Sequence, residues 1–306
     1  MIATRGRADL LAETLKALEA QTVPPDEVVV VDDESPDNTG DVVAASGYRY
    51  IRVRQGGPSR AREVGWRTSS CGIIAFTDDD CRPDPEWLAQ LVNPIRAGQA
   101  DFVQGRTIPR PDQLDRLGPW SRTMQVEDES GFYQTCNIAY RRDVLEATGG
   151  FHPGFPYAAA EDTELAWRAK EAGFLSAFAS GAVVQHVVWP SSFRHFLRDR
   201  RRWGSIVLVV RLHPGLRSLA YRNYFYRASH LRVLLLVAAL TGSGLVRRWL
   251  PPLVAGTGLA AYLVKTRRSG KPAGERVIHI GRVLVADGFE TLVFVRSSIR
   301  YRTLLL

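Results

Sequence analysis

Cysteine is scarce in this chain, and the few cysteines present are not spaced as they are in metal sites. Cys71, Cys81 and Cys136 are the only cysteines in 306 residues, and no CxxC pair occurs. This argues against a cysteine-based zinc site. An odd count without a recognisable signal peptide predicts a reduced, cytosolic protein. We expect the three side chains to act as small buried hydrophobic groups.

Apolar runs of membrane-spanning length are also missing. The runs Val233–Val246 and Leu250–Val264 contain 14 and 15 residues and are separated by Arg247-Arg248-Trp249. A membrane span needs roughly 20 apolar residues. A short transmembrane hairpin would place the two arginines on the far side, against the positive-inside tendency. We therefore favour interfacial or re-entrant helices at a membrane surface.

The glycine-rich motifs GxGxxG and GxxxxGK[ST] are absent, which argues against a dinucleotide or P-loop site. The nearest substitute is Gly56-Gly57, which precedes a predicted helix over Pro58–Ser69. Backbone N–H groups at a helix N-terminus can bind phosphate. Arg62 in this helix is either a nucleotide contact or a surface arginine.

Acidic residues are rare in the last third of the chain. From Pro190 to Leu306 there are 21 lysines and arginines against 4 aspartates and glutamates, whereas the preceding residues carry 19 against 28. The net charges are therefore +17 and −9. A basic region with leucine- and valine-rich runs favours an anionic membrane surface over nucleic acid as its partner. The acidic region suits a metal site.

Residues 1–110 alternate between predicted strands and helices. The run Val28–Val31 is continuously apolar and ends at Asp32-Asp33, as a buried parallel strand does. This alternation predicts an α/β fold, with a mostly parallel sheet and helices on both faces. The first strand, Met1–Thr4, is short, and we expect apolar residues upstream in the natural reading frame. The other predicted strands are 48–54, 73–77 and 101–108, and the predicted helices are 8–21, 58–69 and one that begins near Asp84.

The middle of the chain is less regular. We predict a helix over 115–129, an extended segment over 132–140 and a short helix over 141–147 that Gly149-Gly150 ends. A firm helix over 161–172, one or two strands over 174–188 and a basic helix over 191–212 follow. No internal repeat or low-complexity tract is present.

Three carboxylates, Asp78-Asp79-Asp80, directly follow a predicted buried strand. Such a cluster is costly unless a cation neutralises it. Mg²⁺ or Mn²⁺ takes oxygen ligands and shares them with substrate phosphates. We assign Asp80 to the metal and Asp78 to a ribose or, through water, to the metal; the alternative is a solvated turn that caps the next helix. Metal and phosphate together suggest transfer of a group carried on a nucleotide diphosphate.

Asp32 and Asp33 close the second strand and form either a simple turn with Ser35-Pro36 or a contact to a base N–H or ribose hydroxyl. Ligands of α/β sheets bind outside the carboxyl ends of the strands. We therefore expect Asp32-Asp33 and Asp78–Asp80 to lie in one crevice.

Glu161 and Asp162 begin a predicted helix, where acidic residues commonly complement the helix dipole. The functional alternative is a general base for an acceptor hydroxyl, and of the two we choose Asp162. His186, at a strand end, is either structural or faces a metal or diphosphate. Arg202 and Trp203 belong either to a solvated basic face or to a phosphate clamp.

Taken in order, these segments resemble glycosyltransferase family 2 enzymes with the GT-A fold. The resemblance covers roughly residues 1–205 and is specific as a set rather than segment by segment. The matching stretches are Ile2–Arg7, Val28–Asp37, Gly57–Gly65, Phe76–Pro83, Asn137–Phe151, Glu161–Gly173 and Val184–His186.

The resemblance implies a role for each matching position. Asp78–Asp80 looks like the DxD-type motif, which implies a divalent metal and a nucleotide-sugar donor. Asp33 looks like the nucleoside-binding aspartate, and Glu161-Asp162 looks like the ED motif, whose aspartate is the candidate base. The remaining positions are Thr4, Asp32, Arg62 and Asp79 for the nucleotide sugar, His186 with Asp78 and Asp80 for the metal, and Asn137, Arg202 and Trp203 for the acceptor or phosphate side.

The sequence also departs from the family pattern. Glu63 stands where the family often has Asn, and His152 replaces a common acidic residue after Gly-Gly-Phe. Arg202-Trp203 resembles the end of the QxxRW motif of processive members, but Asp199 occupies the Gln position. This weakens the case for processive synthesis.

The predicted activity is an inverting, metal-dependent glycosyl transfer from a nucleotide-diphosphate sugar to a lipid-linked or cell-envelope glycan, at the cytoplasmic face of the membrane. We assign residues 1–205 to the GT-A domain and 206–306 to a helical membrane-associating region. The alternatives are a sugar-1-phosphate nucleotidyltransferase and a catalytically inactive, membrane-tethered module that binds nucleotide sugar.

Overall fold

A central sheet organises the first of two units in this protein. The computed structural model describes residues 1–155, 159–241 and 273–306, which divide into the units Met1–Ser192 and Phe193–Leu306. The strands of the first unit are β1 Ile2–Thr4, β2 Val29–Asp33, β3 Arg49–Val53, β4 Ile73–Asp78, β5 Cys81–Pro83, β6 Phe102–Pro109, β7 Asn137–Arg141 and β8 Ser176–His186.

The sheet is mixed, with the order β3-β2-β1-β4-β7-β6-β8-β5. The first four strands are parallel, β7 is antiparallel to β4 and β6, β8 is parallel to β6, and β5 is antiparallel to β8. No α-helix joins β6 to β7 in the described chain, so these neighbours pair antiparallel rather than through a parallel crossover. The predicted α/β fold is confirmed, and the sheet contains more antiparallel pairs than we expected.

Apolar periodicity places the helices against this sheet. Leu11, Leu15 and Leu18 form the buried side of the first helix, as their spacing predicts. All five residues of β2 are buried, as expected for an interior parallel strand. The helices of this unit are α1 Ala8–Glu19, α2 Thr39–Ser46, α3 Pro58–Thr68, α4 Trp87–Arg96, α5 Arg142–Thr148 and α6 Glu161–Glu171.

The helix predicted over 115–129 is wrong. A short 3₁₀ turn occupies Pro111–Arg116, and irregular chain follows it. Gly118-Pro119 interrupts the helical pattern, because the proline disfavours helical backbone before it. Isolated bridges then pair Val126 with Thr107 and Arg122 with Trp189. Of the extended segment predicted over 132–140, only the part from Asn137 is a strand.

The second unit is helical in its described residues. The basic helix predicted over 191–212 is interrupted by a 3₁₀ turn at Arg201–Gly204, which separates the first two helices of this unit. A further 3₁₀ turn covers Pro214–Leu219. The α-helices are α7 Phe193–Arg200, α8 Ser205–Leu212, α9 Ala228–Thr241 and α10 Ala273–Tyr301.

None of the helices in the described parts of the chain combines the length and apolar character that a membrane crossing requires. The run Leu250–Val264, Arg247-Arg248-Trp249 and the end of Val233–Val246 lie outside the described residues. The two units divide after Ser192, 13 residues before the domain boundary that we predicted at residue 205. The predicted boundary at residue 205 stays a prediction.

Candidate active site

The carboxyl ends of three adjacent strands bring predicted acidic residues to one edge of the sheet. β1 lies between β2 and β4, with Thr4 paired to Asp32 and Ala3 paired to Asp78. Ligands of α/β sheets bind outside this edge. A cavity of about 410 Å³ lies at the other end, lined by the first residues of β2 and β4, and it includes none of the predicted site residues.

Arg62 joins two of the predicted acidic positions. Its Nη2 donates to Oδ1 of Asp78 at 2.8 Å, and its Nη1 donates to Oε1 of Glu161 at 3.1 Å. Arg62 and Glu161 are buried, which excludes the surface-arginine alternative. Asp78 ends β4, Arg62 lies in α3 and Glu161 begins α6, so the pair of bonds fixes the start of α6 against the end of β4.

The two acidic residues at the start of α6 have environments that favour a proton. Burial and the adjacent Asp162 carboxylate raise the pKa of Glu161 to about 7, against the opposing effect of Arg62. Burial also raises the pKa of Asp162, although the N–H of Thr163, which donates to its Oδ1 at 2.8 Å, acts in the opposite direction. Asp162 is the more exposed of the two. It is therefore better placed to exchange a proton with a bound ligand.

Both carboxylate oxygens of Asp79 accept hydrogen bonds from within the protein. Its Oδ2 accepts a hydrogen bond from Thr4 Oγ1 at 2.8 Å, and its Oδ1 accepts one from Arg7 Nη1 at 2.8 Å. Burial raises the pKa of Asp79 to about 6, although Arg7 acts against this. Thr4 and Asp79 are both buried and bond to each other. The structure thus gives them a part in joining β1 to β4, and their predicted contact with the nucleotide sugar stays a prediction.

Asp80 lies beside His186, and their predicted ligation of a metal stays a prediction. Its Oδ1 is 3.6 Å from Nε2 of His186, and its Oδ2 accepts hydrogen bonds from Trp189 Nε1 at 3.0 Å and Arg7 Nη1 at 3.1 Å. Burial works to raise the pKa of Asp80, but the positive groups around it prevail and lower it. Nδ1 of His186 lies 2.8 Å from the carbonyl oxygen of Val187 and suits a donated hydrogen bond there. That tautomer of the neutral imidazole leaves the Nε2 lone pair available as a metal ligand.

A divalent metal fits this group. Asp80, Cys81 and His186 each offer one potential ligand atom within 4.8 Å of the others. Burial raises the pKa of the Cys81 thiol well above its ordinary value. Sulfur is also a soft ligand and is less suited to Mg²⁺ or Mn²⁺ than the other two groups. The carboxylate and imidazole that remain suit Mn²⁺ and, through oxygen, Mg²⁺. Asp78 ends the strand two residues before Asp80 and can add a second oxygen.

Asp32 and Asp33 are both engaged within the protein. Asp32 accepts hydrogen bonds from Ser35 N at 2.8 Å and Tyr50 Oη at 2.6 Å, and it is fully buried. Asp33 accepts from both N–H groups of Gly56-Gly57, at 2.7 and 2.9 Å. These two N–H groups therefore bond a carboxylate, where we had considered a phosphate. Asp32 orders the strand end, and nucleoside binding by Asp33 stays a prediction.

Asn137 has an internal role. Its Nδ2 donates to the carbonyl oxygens of Arg106 and Ala182, each at 2.8 Å, and its Oδ1 accepts from Trp87 Nε1 at 2.8 Å. The side chain is fully buried beside Gly105, where the β6–β8 register shifts. Both amide hydrogens are used, so the amide has no donor left for an acceptor sugar.

Arg202 and Trp203 belong to the second unit. They lie in its 3₁₀ turn, and the Trp203 ring is surrounded by Arg200 at 5.1 Å, Arg227 at 5.6 Å and Tyr226 at 5.7 Å. Trp203 thus packs within its own unit. Their predicted contact with the acceptor or a phosphate stays a prediction.

Sequence reasoning missed the residues that hold the carboxylates in place. Arg7 contacts Asp79 and Asp80, its guanidinium lies 5.4 Å from the Trp189 ring, and Tyr50 holds Asp32. Arg7 could have been found from the sequence, because it follows β1 at the sheet edge where ligands are expected to bind. Trp189 could not, because its distance from Asp80 along the chain is 109 residues.

Glu63, which departs from the family pattern, anchors the turn before α6. Its Oε2 accepts hydrogen bonds from Phe151 N at 2.9 Å and Trp66 Nε1 at 2.7 Å. A Cβ on Gly150, which has a φ of +78°, would lie 2.2 Å from this oxygen. Glu63 therefore ties α3 to the turn, and a Cβ at Gly150 would have to displace its carboxylate.

Gly150→Ala is expected to lower the free energy of unfolding by about 2–4 kcal/mol, because it combines a left-handed backbone with the displacement of Glu63. Gly149→Ala is the matched control. Gly149 has the same φ of +78°, but its Cβ would meet nothing within 4 Å, so we expect a loss of about 1–2 kcal/mol. Urea unfolding measures both. Equal losses would mean that the Glu63 contact does not constrain the turn.

The first half of the chain, residues 1–157, matches the sequence profile described as glycosyl transferase family 2. Among similar proteins, glycosyltransferase AglE of Haloferax volcanii is 29% identical over 220 residues, which cover 67% of this chain and 70% of that protein. The O-antigen chain rhamnosyltransferase RfbN of Salmonella typhimurium is 28% identical over 209 residues, which cover 61% of this chain and 65% of that protein.

Two solved structures share the fold at low sequence identity. Mannosyltransferase PcManGT from Pyrobaculum calidifontis, in complex with GDP-Man and Mn²⁺, is 16% identical with a TM-score of 0.52, covering 98% of this chain and 85% of that one. S. aureus TarS 1-349, in complex with UDP, is 16% identical with a TM-score of 0.52, covering 98% of this chain and 90% of that one. These likenesses support the α/β GT-A fold.

Proposed function

Because this chain belongs to glycosyl transferase family 2, we propose that it moves a glycosyl group from a nucleotide-diphosphate sugar to an acceptor hydroxyl, with inversion and with a divalent metal bound. The observation that carries the proposal is that one arginine, Arg62, bonds to two carboxylates at the same edge of the sheet. Asp78 at the end of β4 and Glu161 at the start of α6 share the Arg62 guanidinium, and Asp162 follows directly.

The donor side of the proposed site is formed by β4 and β8. Asp80 and His186 would hold the metal, with Asp78 as a further oxygen ligand. A bound Mg²⁺ or Mn²⁺ would offset the negative charge of the departing nucleoside diphosphate. Arg7 bridges Asp79 and Asp80 and adds a fixed positive charge beside them. Asp33, at the end of β2, is the proposed contact of the nucleoside.

The acceptor side is formed by the start of α6. In the proposed reaction, a carboxylate oxygen of Asp162 takes the proton of the acceptor hydroxyl while the acceptor oxygen forms a bond to the anomeric carbon. The bond from this carbon to the diphosphate oxygen breaks with its electron pair, and the diphosphate leaves from the opposite side, which inverts the configuration. Arg62 and Glu161 hold Asp162 in position through the first turn of α6.

We infer that the acceptor is a lipid-linked or cell-envelope glycan and that the enzyme works at the cytoplasmic face of the membrane. RfbN, named as an O-antigen chain rhamnosyltransferase, supports this acceptor class. The charge of +17 from Pro190 to Leu306 supports an anionic membrane surface as partner.

Release of nucleoside diphosphate from a panel of UDP-, GDP- and dTDP-sugars tests the proposed reaction. With Mn²⁺ or Mg²⁺ and membranes that contain native lipid, we expect release from one donor, its loss in EDTA and its return when metal is restored. Nucleoside diphosphate is the expected product of transfer, whereas pyrophosphate would indicate a nucleotidyltransferase. Release that persists in EDTA would contradict the metal assignment, and retention of the anomeric configuration in the product would contradict inversion.

A further inference from the structure

An apolar stripe runs along the outward side of α10. Ile278, Val285, Leu292 and Ile299 recur at intervals of seven residues, and their exposed fractions are 60, 54, 63 and 74%. Seven residues make almost two helical turns, so side chains at this spacing lie above one another with a drift of only about 20° per repeat. These four residues, which we call the α10 stripe, form one continuous surface of large apolar side chains.

Arginines accompany the stripe, and acidic residues do not. Between Val277 and Arg300, the other exposed residues are Val277, Gly281, Arg282, Arg296 and Arg300. At 3.6 residues per turn, Arg282 and Arg300 lie about 40° to one side of Ile278. Within this described stretch, Asp287 is partly buried and Glu290 is 3% exposed. The outward face thus combines apolar side chains with positive charge alone.

The opposite side of α10 already forms the interior of the second unit. Ala286, Glu290 and Phe294 are buried there, and the Phe294 ring stacks on Tyr226 at 4.8 Å. The α10 stripe is therefore not the side with which this helix packs into its unit. A solvated helix face normally carries mixed charges rather than a row of exposed isoleucine, valine and leucine.

We propose that the α10 stripe with Arg282, Arg296 and Arg300 binds an anionic lipid surface, with the helix axis parallel to the membrane. Apolar side chains would enter the boundary between headgroups and acyl chains, and the arginines would contact anionic headgroups. A second copy of the chain is a poorer occupant, because pairing two such faces would bring arginines together without acidic partners. Nucleic acid would leave the apolar residues exposed.

This inference rests on the proposed function, in which the acceptor is held at a membrane. It adds the surface of the protein that would bind that membrane. Its test needs no donor sugar. The full chain is sedimented with vesicles of phosphatidylcholine alone or of an equal mixture with phosphatidylglycerol. We expect binding to the anionic vesicles, and we expect added salt to weaken it.

Leu292→Gln is expected to weaken binding to anionic vesicles about tenfold, because a large apolar group no longer enters the lipid. Leu175→Gln is the matched control: Leu175 is 62% exposed in the first unit, and we expect no change. Each of Arg282→Gln, Arg296→Gln and Arg300→Gln is expected to weaken binding about fivefold.

Equal binding to both vesicle types, or unchanged binding by Leu292→Gln, would overturn the inference. So would a dimer, measured by light scattering, that Leu292→Gln dissociates, because a second copy would then occupy the face. Nucleoside diphosphate release is measured in parallel with detergent-dispersed acceptor. If the unaltered chain released nucleoside diphosphate but did not bind anionic vesicles, the proposed surface alone would be refuted. If it bound the vesicles but released nothing from any donor, the proposed reaction alone would be refuted.

Discussion

Asp162→Asn is expected to reduce the rate of glycosyl transfer by about 10³-fold while the donor still binds. The amide keeps the shape of the side chain but cannot take the proton of the acceptor hydroxyl. Its Oδ1 can still accept from Thr163 N, so the first turn of α6 should keep its structure. Steady-state kinetics give the rate, and calorimetric titration with the nucleoside diphosphate and metal gives donor-side binding.

Glu171→Gln, an exposed position at the end of the same helix, is the control and should leave the rate unchanged. The pH dependence adds a second readout. The base must be ionised, so kcat/KM falls as the pH is lowered through the pKa of the group. Because burial raises the pKa of Asp162, this fall should begin above the range of an ordinary aspartate. Full activity of Asp162→Asn would exclude this residue as the base.

Asp80→Asn is expected to reduce the transfer rate by about 10³-fold and to weaken Mn²⁺ binding, because the metal loses its anionic ligand. The amide preserves the size of the side chain and its possible contact with Trp189. Binding of Mn²⁺ can be followed by its electron paramagnetic resonance signal in the presence of nucleoside diphosphate, independently of turnover.

Cys81→Ala is the control for Asp80→Asn. The Cys81 sulfur lies within 4.8 Å of the Asp80 and His186 ligand atoms and is fully buried. A sulfur ligand suits Mn²⁺ less well than an oxygen ligand does. We expect Cys81→Ala to keep Mn²⁺ affinity, with a modest loss of stability from the lost packing. If Cys81→Ala weakened Mn²⁺ binding as much as Asp80→Asn, the sulfur would have to be counted among the ligands.

The sequence pattern predicted those strands and helices whose formation depends mainly on residues close to one another along the chain. The apolar run before Asp32 and the leucine spacing of α1 were sufficient to place β2 and the first helix. The helix predicted over 115–129 does not form, because Gly118-Pro119 disfavours helical backbone within this segment. The strand β5 was missed, since three residues from Cys81 to Pro83 carry no periodic signal, and their pairing partner lies in β8.

Long-range contacts explain why the site could be predicted only in part. The carboxylates were visible because they follow strands, and strand ends meet at one edge. The Arg62–Glu161 pair joins residues 99 positions apart, and no sequence pattern indicates it. The predicted role of Asn137 on the acceptor side stays a prediction, and the sequence did not indicate the internal contacts of this side chain. A polar residue in a recognised segment suggested ligand binding, whereas its hydrogen bonds are satisfied by the backbone of β6 and β8 and by Trp87.

Two neighbouring residues of α3 anchor both ends of the segment that leads into α6. Glu63 holds the N–H of Phe151, and Arg62 holds Glu161. One helix therefore holds both the turn at Phe151 and the start of α6. A substitution that displaces α3 is expected to disturb these two places together, although they are ten residues apart along the chain.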